Sequence, residues 1–318
     1  MTENKYMPRA PLFRDPIYDG AADPTIIWNR EEKEWWIIYT NRRATVHADG
    51  VAWVHGTDLG IASSQDGINW TYRGTLQGLE YEPGRNTYWA PEVIYHNGVY
   101  HMYVSYIQGI PTRWEGHKRK IVHYTSENLW DWKFESILKL SSDFVIDACI
   151  HSLPNGKFRM WYKDEAHHSY TYAADSDDLY QWEVVGPVIT GFPHEGANVF
   201  YLNGDYWMIV DTWDGQAVYQ SQDCNYWIYS TTILKDPGER KDDGSAGFHA
   251  DVHVNGECAY IFYFTHPERN KGLPDDSYQS KRSSLQVAKL EVNNGELSCD
   301  RNKTFEMKLI VNKNEGGV

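Results

Sequence analysis

The sequence contains little cysteine and no excess of positive charge. Its four cysteines, at positions 149, 224, 258 and 299, include no Cys-x-x-Cys pair, which favours reduced, mostly buried thiols over a disulfide framework. Lysine and arginine together number 30 against 44 acidic residues, which gives a formal net charge of −14. We therefore expect neither a nucleic acid nor an anionic membrane as a partner.

Long apolar segments are also missing. The first residues, MTENKYMPRAP, contain no apolar core of a secretory signal, and no run of about 18 apolar residues occurs anywhere in the chain. These absences predict a cytoplasmic protein. The chain shows no helical periodicity of any length either, so its 41% of hydrophobic residues must build a core mainly from strands.

Aromatic residues, in contrast, are abundant. They make up 15% of the chain, with 14 tryptophans and 23 tyrosines. Aromatic rings suit strand packing, which must account for most of them, and they also form platforms for the apolar faces of sugars. The composition therefore favours a β-rich protein and is compatible with a carbohydrate ligand.

Turn signals recur along the chain at a regular spacing. Asn-Gly between short apolar runs is the strongest local signal for a β-hairpin, because both central residues of a type I′ turn need a positive φ. Such pairs begin at positions 97, 155, 203 and 255, which are 58, 48 and 52 residues apart. This spacing predicts the repetition of one structural unit.

Five copies of the unit can be aligned on these turns. Each copy has an apolar strand, a polar turn and an aromatic-rich strand, over residues 24–40, 91–106, 148–163, 197–212 and 250–265. In the first four copies a Ser…Trp segment follows, such as Ser64–Trp70, and predicts two further strands. The fifth copy ends instead in segments 284–292 and 304–310, which we expect to be its last two strands.

This pattern predicts an all-β fold, a five-bladed β-propeller with four antiparallel strands per blade. The blades would form one closed ring, so we expect residues 1–318 to be a single domain. The predicted blades cover approximately residues 20–75, 88–136, 145–186, 195–234 and 247–310.

Ionisable residues stand where the first strands begin. In a propeller these strands run nearest the axis, so their beginnings face the mouth of the central channel. The residues concerned are Asp23, Glu92, Asp147, Glu195, His249 and Asp251. A lone acid at a strand start is usually a turn former or a solvated charge, but a shared register in five copies favours a ring of such groups. Converging carboxylates push their pKa values apart, which can provide one acid and one base.

These residues resemble glycoside hydrolase family 43 and, more distantly, families 32 and 117, all of which are five-bladed propellers. The resemblance covers roughly residues 15–292 and lies in Ala22-Asp23-Pro24, Trp89-Ala90-Pro91-Glu92-Val93, Asp147, Glu195-Gly196 and Gly247-Phe248-His249. It implies that Asp23 is the general base and Glu195 the general acid. Asp147 would be the residue that modulates the pKa of the acid and orients it.

Two departures from the family 43 pattern keep an alternative open. That family usually has Asp where this chain has Glu92, and Pro where it has Ala197. The segments Tyr39–Arg43 and His194-Glu195 look more like family 117. His194 is therefore an alternative candidate for the general acid.

Other residues are candidates for contacts with a substrate. These are Trp89, Glu92, Arg42, Arg43, His249 and Arg282. A tryptophan can stack on a sugar ring, and arginines can donate to sugar hydroxyls or to an acidic sugar. Asp15 and Asp19 share a loop with Asp23, which we favour as the base because it directly precedes the first apolar strand.

No cofactor is required for the predicted chemistry. The resemblance implies a possible structural Ca²⁺ or Na⁺ ion on the propeller axis, with His249 near it. Because hard cations prefer oxygen ligands, His249 would contact the water shell of the ion rather than the ion itself.

The expected function is that of an exo-acting, inverting glycoside hydrolase that releases a terminal arabinofuranose, xylose or galactose-type sugar from oligosaccharides. Hydrolysis of a glycosidic bond needs one carboxyl group to protonate the leaving oxygen and another to activate water. One alternative is a non-catalytic carbohydrate-binding propeller. Another is a retaining, family 32-like glycosidase in which Asp23 would be the nucleophile. The sequence leaves the oligomeric state open.

Overall fold

The computed structural model describes residues 6–269 and 272–311, and nearly all of its regular structure is β-strand. The strands form five sheets of four antiparallel strands, and each sheet is built from consecutive segments of the chain. This arrangement confirms the predicted five-bladed propeller with four antiparallel strands per blade.

The strands of blades one to three are β1 (Ala21–Asn29), β2 (Glu34–Asn41), β3 (Leu59–Ser64), β4 (Thr71–Thr75), β5 (Thr87–His96), β6 (Val99–Ile107), β7 (Lys120–Ser126), β8 (Lys133–Ile137), β9 (Val145–Ser152), β10 (Phe158–Asp164), β11 (Tyr170–Ser176) and β12 (Glu183–Ile189). The strands of blades four and five are β13 (Glu195–Leu202), β14 (Asp205–Asp211), β15 (Gln216–Ser221), β16 (Ile228–Ile233), β17 (Phe248–Asn255), β18 (Cys258–Thr265), β19 (Ser284–Asn293) and β20 (Glu296–Ser298). The helical segments of the described chain are a 3₁₀ turn, Glu165–His167, and one α-helical turn, α1 (Tyr278–Lys281). No described helix has the length and apolar character needed to cross a membrane.

The first strand of each blade lies at the propeller axis. β1, β5, β9, β13 and β17 contact one another around the ring, and each pairs outward with the second strand of its own blade. Near its start each first strand also carries a β-bulge, where the pairing register shifts by one residue. The equivalent bulge positions are Asp23, Ala90, Asp147, Gly196 and His249. A bulge bends the strand and redirects its side chain, so these positions determine what reaches the mouth of the channel.

The bulges correct the expectation that the acids share one register. Asp23 and Asp147 occupy equivalent positions, with φ of 48° and 58°. Glu195, however, lies one residue before its bulge position, and Glu92 lies two residues after its own. The four carboxyl groups therefore stand at three different levels along the axial strands, because the extra residue interrupts the simple alternation of each strand.

Side chains join each blade to the next at these bulges. The Asp147 N–H donates to Ser105 Oγ at 2.9 Å, and the His249 N–H donates to Asp211 Oδ2 at 2.7 Å. Both acceptors lie at or near the end of the second strand of the preceding blade. A bulge leaves a backbone N–H without a partner in its own sheet, and here that group bonds to the neighbouring blade.

Two of the four Asn-Gly pairs adopt the expected conformation. Asn97 and Asn203 have φ of 49° and 53°, and each is followed by a glycine of positive φ. Asn155 and Asn255 are not in the left-handed region. The first lies in a five-residue loop, 153–157, between β9 and β10, and the second is the last residue of β17. The hairpins form at all four places, but with different turn geometry.

The recurring Ser…Trp segment forms a tight connection between the third and fourth strands. In blade two, Ser126 Oγ accepts the Leu129 N–H at 2.9 Å, and the Trp132 indole donates to the Leu129 carbonyl at 2.9 Å. Leu129 has a φ of 68°. The equivalent bonds of Ser64 and Trp70 are 2.9 and 2.8 Å long. A serine, a positive φ and an indole thus fix the same turn in successive blades.

Blade five ends differently from the prediction. Its fourth strand is β20, which pairs with β19 through Asn294-Gly295, and residues 304–310 form no strand. The hairpin forms because Asn294 and Gly295 have φ of 53° and 82°, as a tight turn requires. The segment 304–310 instead places Met307 and Leu309 in the hydrophobic cluster that blades one and five share.

The two ends of the described chain close the ring without exchanging a strand between blades. Phe13 forms an antiparallel bridge with Leu285 of β19. On the axis, the Ile26 N–H of blade one donates to Asp251 Oδ2 of blade five at 2.7 Å. Blade one is therefore held to blade five by a backbone bridge, a side-chain hydrogen bond and the shared hydrophobic cluster.

Truncation of the Met307 side chain should weaken the packing that holds blade one to blade five. Met307 is 1% exposed, so Met307→Ala leaves a cavity between blades one and five, and we expect a loss of about 2–5 kcal/mol in the free energy of unfolding. Met7 is 36% exposed, and Met7→Ala is the matched control, with an expected change of less than about 0.5 kcal/mol. Urea denaturation measures both. Equal stability of the two variants would contradict a packed C-terminal segment.

Candidate active site

A cavity of about 300 Å³ lies at the mouth of the axial channel. Its lining residues come from all five blades and are Asp23, Arg42, Val54, Trp89, Trp114, Arg119, Ile146, Asp147, Lys163, Glu165, Glu195, Trp213 and His249. Six of these were singled out from the sequence: Asp23, Arg42, Trp89, Asp147, Glu195 and His249. The fold therefore brings the predicted base, acid and pKa modulator to one cavity.

Asp23 is held between two cationic side chains. Arg42 Nη2 donates to both carboxylate oxygens, at 3.0 and 3.1 Å. His249 Nδ1 lies 3.8 Å from Asp23 Oδ1. Burial alone would lower the pKa of His249, but the charges of Asp147, Asp23 and the other nearby acids raise it above its ordinary value. The Asp23 side chain is thus oriented by a guanidinium on one side and faces an imidazole on the other.

Glu195 has a different partner set. Lys163 Nζ donates to Oε2 at 2.9 Å, and the Trp213 indole donates to Oε1 at 2.9 Å. Burial would raise the pKa of Glu195, but the charge and hydrogen bond of Lys163, together with the bond from Trp213, bring it below its ordinary value. Lys163 is itself shared, since its Nζ is 3.3 Å from Oε1 of Glu165. Glu195 is thus a buried carboxyl group whose proton affinity depends on one lysine.

Two further carboxyl groups next to Glu195 are shifted in the opposite direction. Burial raises the pKa of Asp147 to about 7; the charge of His249 opposes this shift and that of Glu195 adds to it. Burial and the charge of Glu195 raise the pKa of Asp211 to about 8. Asp147 Oδ2 also accepts the Gly196 N–H at 3.3 Å, which places it beside the backbone of Glu195. Adjacent acids with separated pKa values are the arrangement that acid–base chemistry requires.

Asp211 was not predicted from the sequence, and it connects the two sides of the site. Its Oδ1 accepts the Trp213 N–H at 2.7 Å, and its Oδ2 accepts the His249 N–H at 2.7 Å. Trp213 bonds to Glu195, and His249 faces Asp23. Asp211 therefore holds both Trp213, which bonds to the predicted acid Glu195, and His249, which faces the predicted base Asp23.

Three tryptophans form the apolar walls of the cavity. Trp89 is nearly buried and its indole donates to the Val54 carbonyl at 2.6 Å. Trp114 and Trp213 are about half exposed, at 50% and 47%. Exposed indole faces beside hydrogen-bonding carboxylates are suited to the alternating apolar and hydroxyl surfaces of a sugar. Trp114 and Trp213 lie in loops outside the repeated strands, and no pattern in the sequence distinguished them.

Three predicted substrate contacts do not line the cavity. Arg43 follows Arg42 directly but turns away, and its Nε donates to the His55 carbonyl at 3.0 Å. Arg282 is held by Asp242 at 3.0 Å and by Glu268 at 3.1 Å. Glu92 lies deeper in the channel. These placements follow from the geometry, because neighbouring residues in extended chain point in opposite directions and Glu92 lies two residues beyond its bulge position. The three residues stay predictions as substrate contacts.

His194, the predicted alternative acid, is also outside the residues that line the cavity. Its side chain is fully buried, with Nε2 at 3.2 Å from the Thr171 N–H group and Nδ1 at 2.9 Å from the Phe192 carbonyl. Because the carbonyl accepts from Nδ1, Nε2 is the acceptor of a neutral ring. Burial lowers the pKa of His194 further. His194 therefore has a structural position behind Glu195.

The alternative bases in the first loop are likewise engaged elsewhere. Asp15 Oδ2 accepts from the Tyr39 hydroxyl at 2.6 Å, and its Oδ1 accepts the N–H groups of residues 17 and 18. Asp19 forms an ion pair with Arg14. Neither lines the cavity that contains Asp23.

The site does not present a direct coordination shell for a metal. Within residues 6–269 and 272–311, no three His, Cys, Asp or Glu side chains are grouped so that they could hold a metal ion. His249 does not fit as a direct ligand, because the surrounding acids favour its protonated form. A cation that His249 contacts through water stays a prediction.

Lys163 and Asp211 were not predicted from the sequence, because the recurring ionisable residues concern only the first strand of each blade. They lie on the second strands, where Lys163 pairs in register with Ile146, and Asp211 pairs with Glu195. The available signal was that each is a charged residue at or next to the last position of a second strand, after a run of apolar and aromatic residues. Only the pairing register shows that such a residue reaches the same cavity.

No protein-family model and no curated protein matches the chain. Solved structures do match. A thermostable family-43 glycoside hydrolase has a TM-score of 0.65 at 18% identity, over 94% of this chain and 100% of its own. A family 43 β-xylosidase/α-arabinofuranosidase from a compost microbial metagenome gives 0.66 at 16%, over 94% and 97%. A family 32 β-fructofuranosidase of Bombyx mori gives 0.63 at 11%, over 88% and 62%. These likenesses show a shared fold and confirm the predicted family 43-like propeller.

The buried Glu92 generates a prediction about pH and stability. Burial and the charge of Asp251 raise the pKa of Glu92 well above its ordinary value, so the folded state holds a proton that the unfolded chain loses first. Stability from this group is present in acid and is lost as the pH rises toward the folded pKa. Glu92→Gln removes this titration while keeping an acceptor for the Ile150 N–H, which is 2.8 Å away.

We therefore expect Glu92→Gln to melt at about the same temperature as the native protein near pH 5 and at a higher temperature near pH 8. Thermal unfolding over this range measures the difference. Glu127 is exposed, and Glu127→Gln is the matched control, which should leave the pH dependence unchanged. If the melting temperatures of Glu92→Gln and the native protein changed with pH in parallel, the pKa of Glu92 would not be raised in the folded state.

Proposed function

We propose that this protein is a glycoside hydrolase that removes a terminal sugar from oligosaccharides, with Asp23 as general base, Glu195 as general acid and Asp147 as pKa modulator. The observation that carries the proposal is that these three buried carboxyl groups line one cavity with three tryptophans. The likeness in fold to family 43 hydrolases supports it. In this site Asp23 receives a proton from water, while Glu195 gives one to the leaving oxygen.

The environments of the carboxyl groups fit these roles. The Arg42 bonds hold both carboxyl oxygens of Asp23 in place at the cavity, where they can accept a proton from water. Asp147, with a pKa of about 7, carries a proton for part of the time at neutral pH and lies beside Glu195. Lys163 opposes protonation of Glu195, so the acid form of Glu195 is favoured at lower pH. We infer an enzyme whose activity is highest on the acidic side of neutrality.

The finer parts of the proposal concern the substrate and the stereochemistry. A cavity of about 300 Å³ is at the small end for ligand sites and favours one terminal ring over a long chain, in agreement with exo action. Xylose and arabinofuranose are suggested by the solved β-xylosidase/α-arabinofuranosidase. The family 117-like motifs suggest a galactose-type sugar. Inversion, in which Asp23 activates water, is proposed from the family 43 resemblance.

One observation favours a second candidate, a non-catalytic carbohydrate-binding propeller. Both the proposed acid and the proposed base are ion-paired, Glu195 with Lys163 and Asp23 with Arg42. Paired carboxylates can serve as hydrogen-bond acceptors for sugar hydroxyls without transferring protons. In that case sugars would bind to the cavity but would not be hydrolysed.

Substitution of either carboxyl group tests the two candidates. Release of sugar from a panel of aryl glycosides and short plant and algal oligosaccharides is followed by NMR, which also identifies the anomer released first. We expect Asp23→Asn or Glu195→Gln to lower kcat by about 10²–10⁴-fold with the fold intact by circular dichroism. Asp177→Asn, at an exposed turn, is the control and should keep full activity. Sugar binding without release by the native protein would favour the non-catalytic candidate.

Lys163 should set the alkaline limit of activity. A general acid must be protonated, and Lys163 lowers the pKa of Glu195, so Lys163→Met should move the alkaline limb of the kcat/KM profile to higher pH. Lys163→Arg keeps the charge and should hold the limb near its native position. The measurement is kcat/KM over a pH series for the native protein and both variants. An unmoved limb in Lys163→Met would show that Lys163 does not tune the acid.

A further inference from the structure

A second cavity of about 550 Å³ adjoins the first. The two share Arg42, Val54, Trp114, Glu195 and Trp213 as walls. Glu195 is the residue proposed to protonate the leaving oxygen, so the bond to be cleaved would lie next to it. A substrate with its terminal sugar in the first cavity would therefore extend past Glu195 into the second.

The second cavity has a basic end. Arg42, His266 and Arg269 line it there. Arg269 has no hydrogen bond or ion pair through its guanidinium with any residue in 6–269 or 272–311. Burial and the charge of Arg42 lower the pKa of Arg269 to about 10, and Asp275 opposes this only in part. Arg42 is paired with Asp23 at 3.0 Å, whereas Arg269 has only the nearby charge of Asp275 to oppose that of Arg42. The lining also contains the carboxyl groups of Glu195, Asp211, Asp214 and Asp236, and Asp214 is paired with Lys235 at 3.0 Å.

Two acids outside the cavity lining, Asp242 and Glu268, are bound by another arginine. Arg282 binds Asp242 at 3.0 Å and Glu268 at 3.1 Å. His266 Nδ1 donates to the Arg282 carbonyl at 2.9 Å, which leaves Nε2 as an acceptor 3.5 Å from Arg42 Nη1. His266 therefore adds no charge but helps to orient Arg42. Among residues 6–269 and 272–311, Arg269 has the charge of Asp275 near it but no direct ion pair.

The walls beside the arginines are aromatic. Phe248, Phe264 and Trp53 line the cavity, and the Arg42 guanidinium stacks over the Phe264 ring at 4.7 Å. Stacking fixes the Arg42 guanidinium plane, whose N–H edge is occupied by Asp23 and His266, so Arg269 is the guanidinium that remains open to a ligand. An aromatic wall next to a guanidinium edge suits a ligand with one apolar face and one anionic substituent.

We propose that the second cavity is a subsite for a sugar unit that carries an oxyanion, either the carboxylate of a uronic acid or a sulfate ester, with Arg269 as the donor and Arg42 as a neighbouring positive charge. This inference rests on the proposed function, because it places the anionic unit on the leaving-group side of Glu195. Guanidinium groups bind such oxyanions through charge-assisted hydrogen bonds, which are about twice as strong as neutral ones. The protein would then act on acidic oligosaccharides at a neutral terminal sugar.

Binding to the Glu195→Gln protein, in which the ion pair between Arg42 and Asp23 stays intact, tests the subsite without hydrolysis. The probes are xylose- and galactose-terminated disaccharides whose second unit is neutral, a uronic acid, or the neutral sugar with one sulfate ester. Calorimetry at low and high salt gives the affinities. We expect at least one anionic series to bind more tightly than the neutral one, and addition of Arg269→Met to reduce this preference by about tenfold. Arg269→Lys should restore part of it.

Lys133→Met, which removes an exposed charge from β8, is the matched control and should leave the preference unchanged. The uronic acid and sulfate arms distinguish the two sources of the oxyanion. Equal affinity for neutral and anionic probes, or a preference that survives Arg269→Met, would overturn the subsite. Absence of binding by every probe would overturn it as well. Sugar release from the neutral panel is a separate readout, so the hydrolase proposal can stand if the subsite fails.

Discussion

Asp23, Asp147 and Glu195 come from three blades and are buried around one cavity, where ionised carboxyl groups would lose hydration and repel one another. Each group needs a cation, a hydrogen-bond donor or its own proton to stay there. Arg42 pairs with Asp23 and Lys163 pairs with Glu195, at 3.0 and 2.9 Å. Asp147 and the nearby Asp211 instead have pKa values of about 7 and about 8. The separation between the lowered pKa of Glu195 and the raised pKa values of Asp147 and Asp211 is thus a consequence of how burial is compensated.

The propeller supplies these compensations through two features of every blade. The bulge in the first strand delivers a side chain to the channel mouth, as at Asp23, Asp147 and His249. The end of the second strand delivers another, and Lys163 and Asp211 stand there. Because blades are joined at the bulges, the same backbone groups that hold the ring together also hold the site. Asp211 is the clearest case, since it bonds to the backbone of His249 in the next blade.

Much of the site could be found from the sequence, but not the choice between neighbours. Alignment of the repeats located Asp23, Asp147 and Glu195. It could not decide between Arg42 and Arg43, or between His194 and Glu195, because adjacent residues differ only in which way they point. The structure turns Arg43 toward the His55 carbonyl and buries His194 against Thr171. A bulge of one residue reverses the direction in which the following side chains point, and no short sequence pattern marks where it occurs.

The sequence by itself determined the number of blades, the position of nearly every strand and the places where the chain turns. These depend on alternation, on turn residues and on repetition, all of which act over a few residues. The exception was the last strand, where Asn294-Gly295 folded the chain earlier than the apolar segment 304–310 suggested. Only the tertiary structure decided which charges meet, since Lys163 and Glu195, or Arg42 and Asp23, approach through pairing registers and blade contacts. Their pKa values follow from that proximity and from burial, which are properties of the folded chain and not of any segment of it.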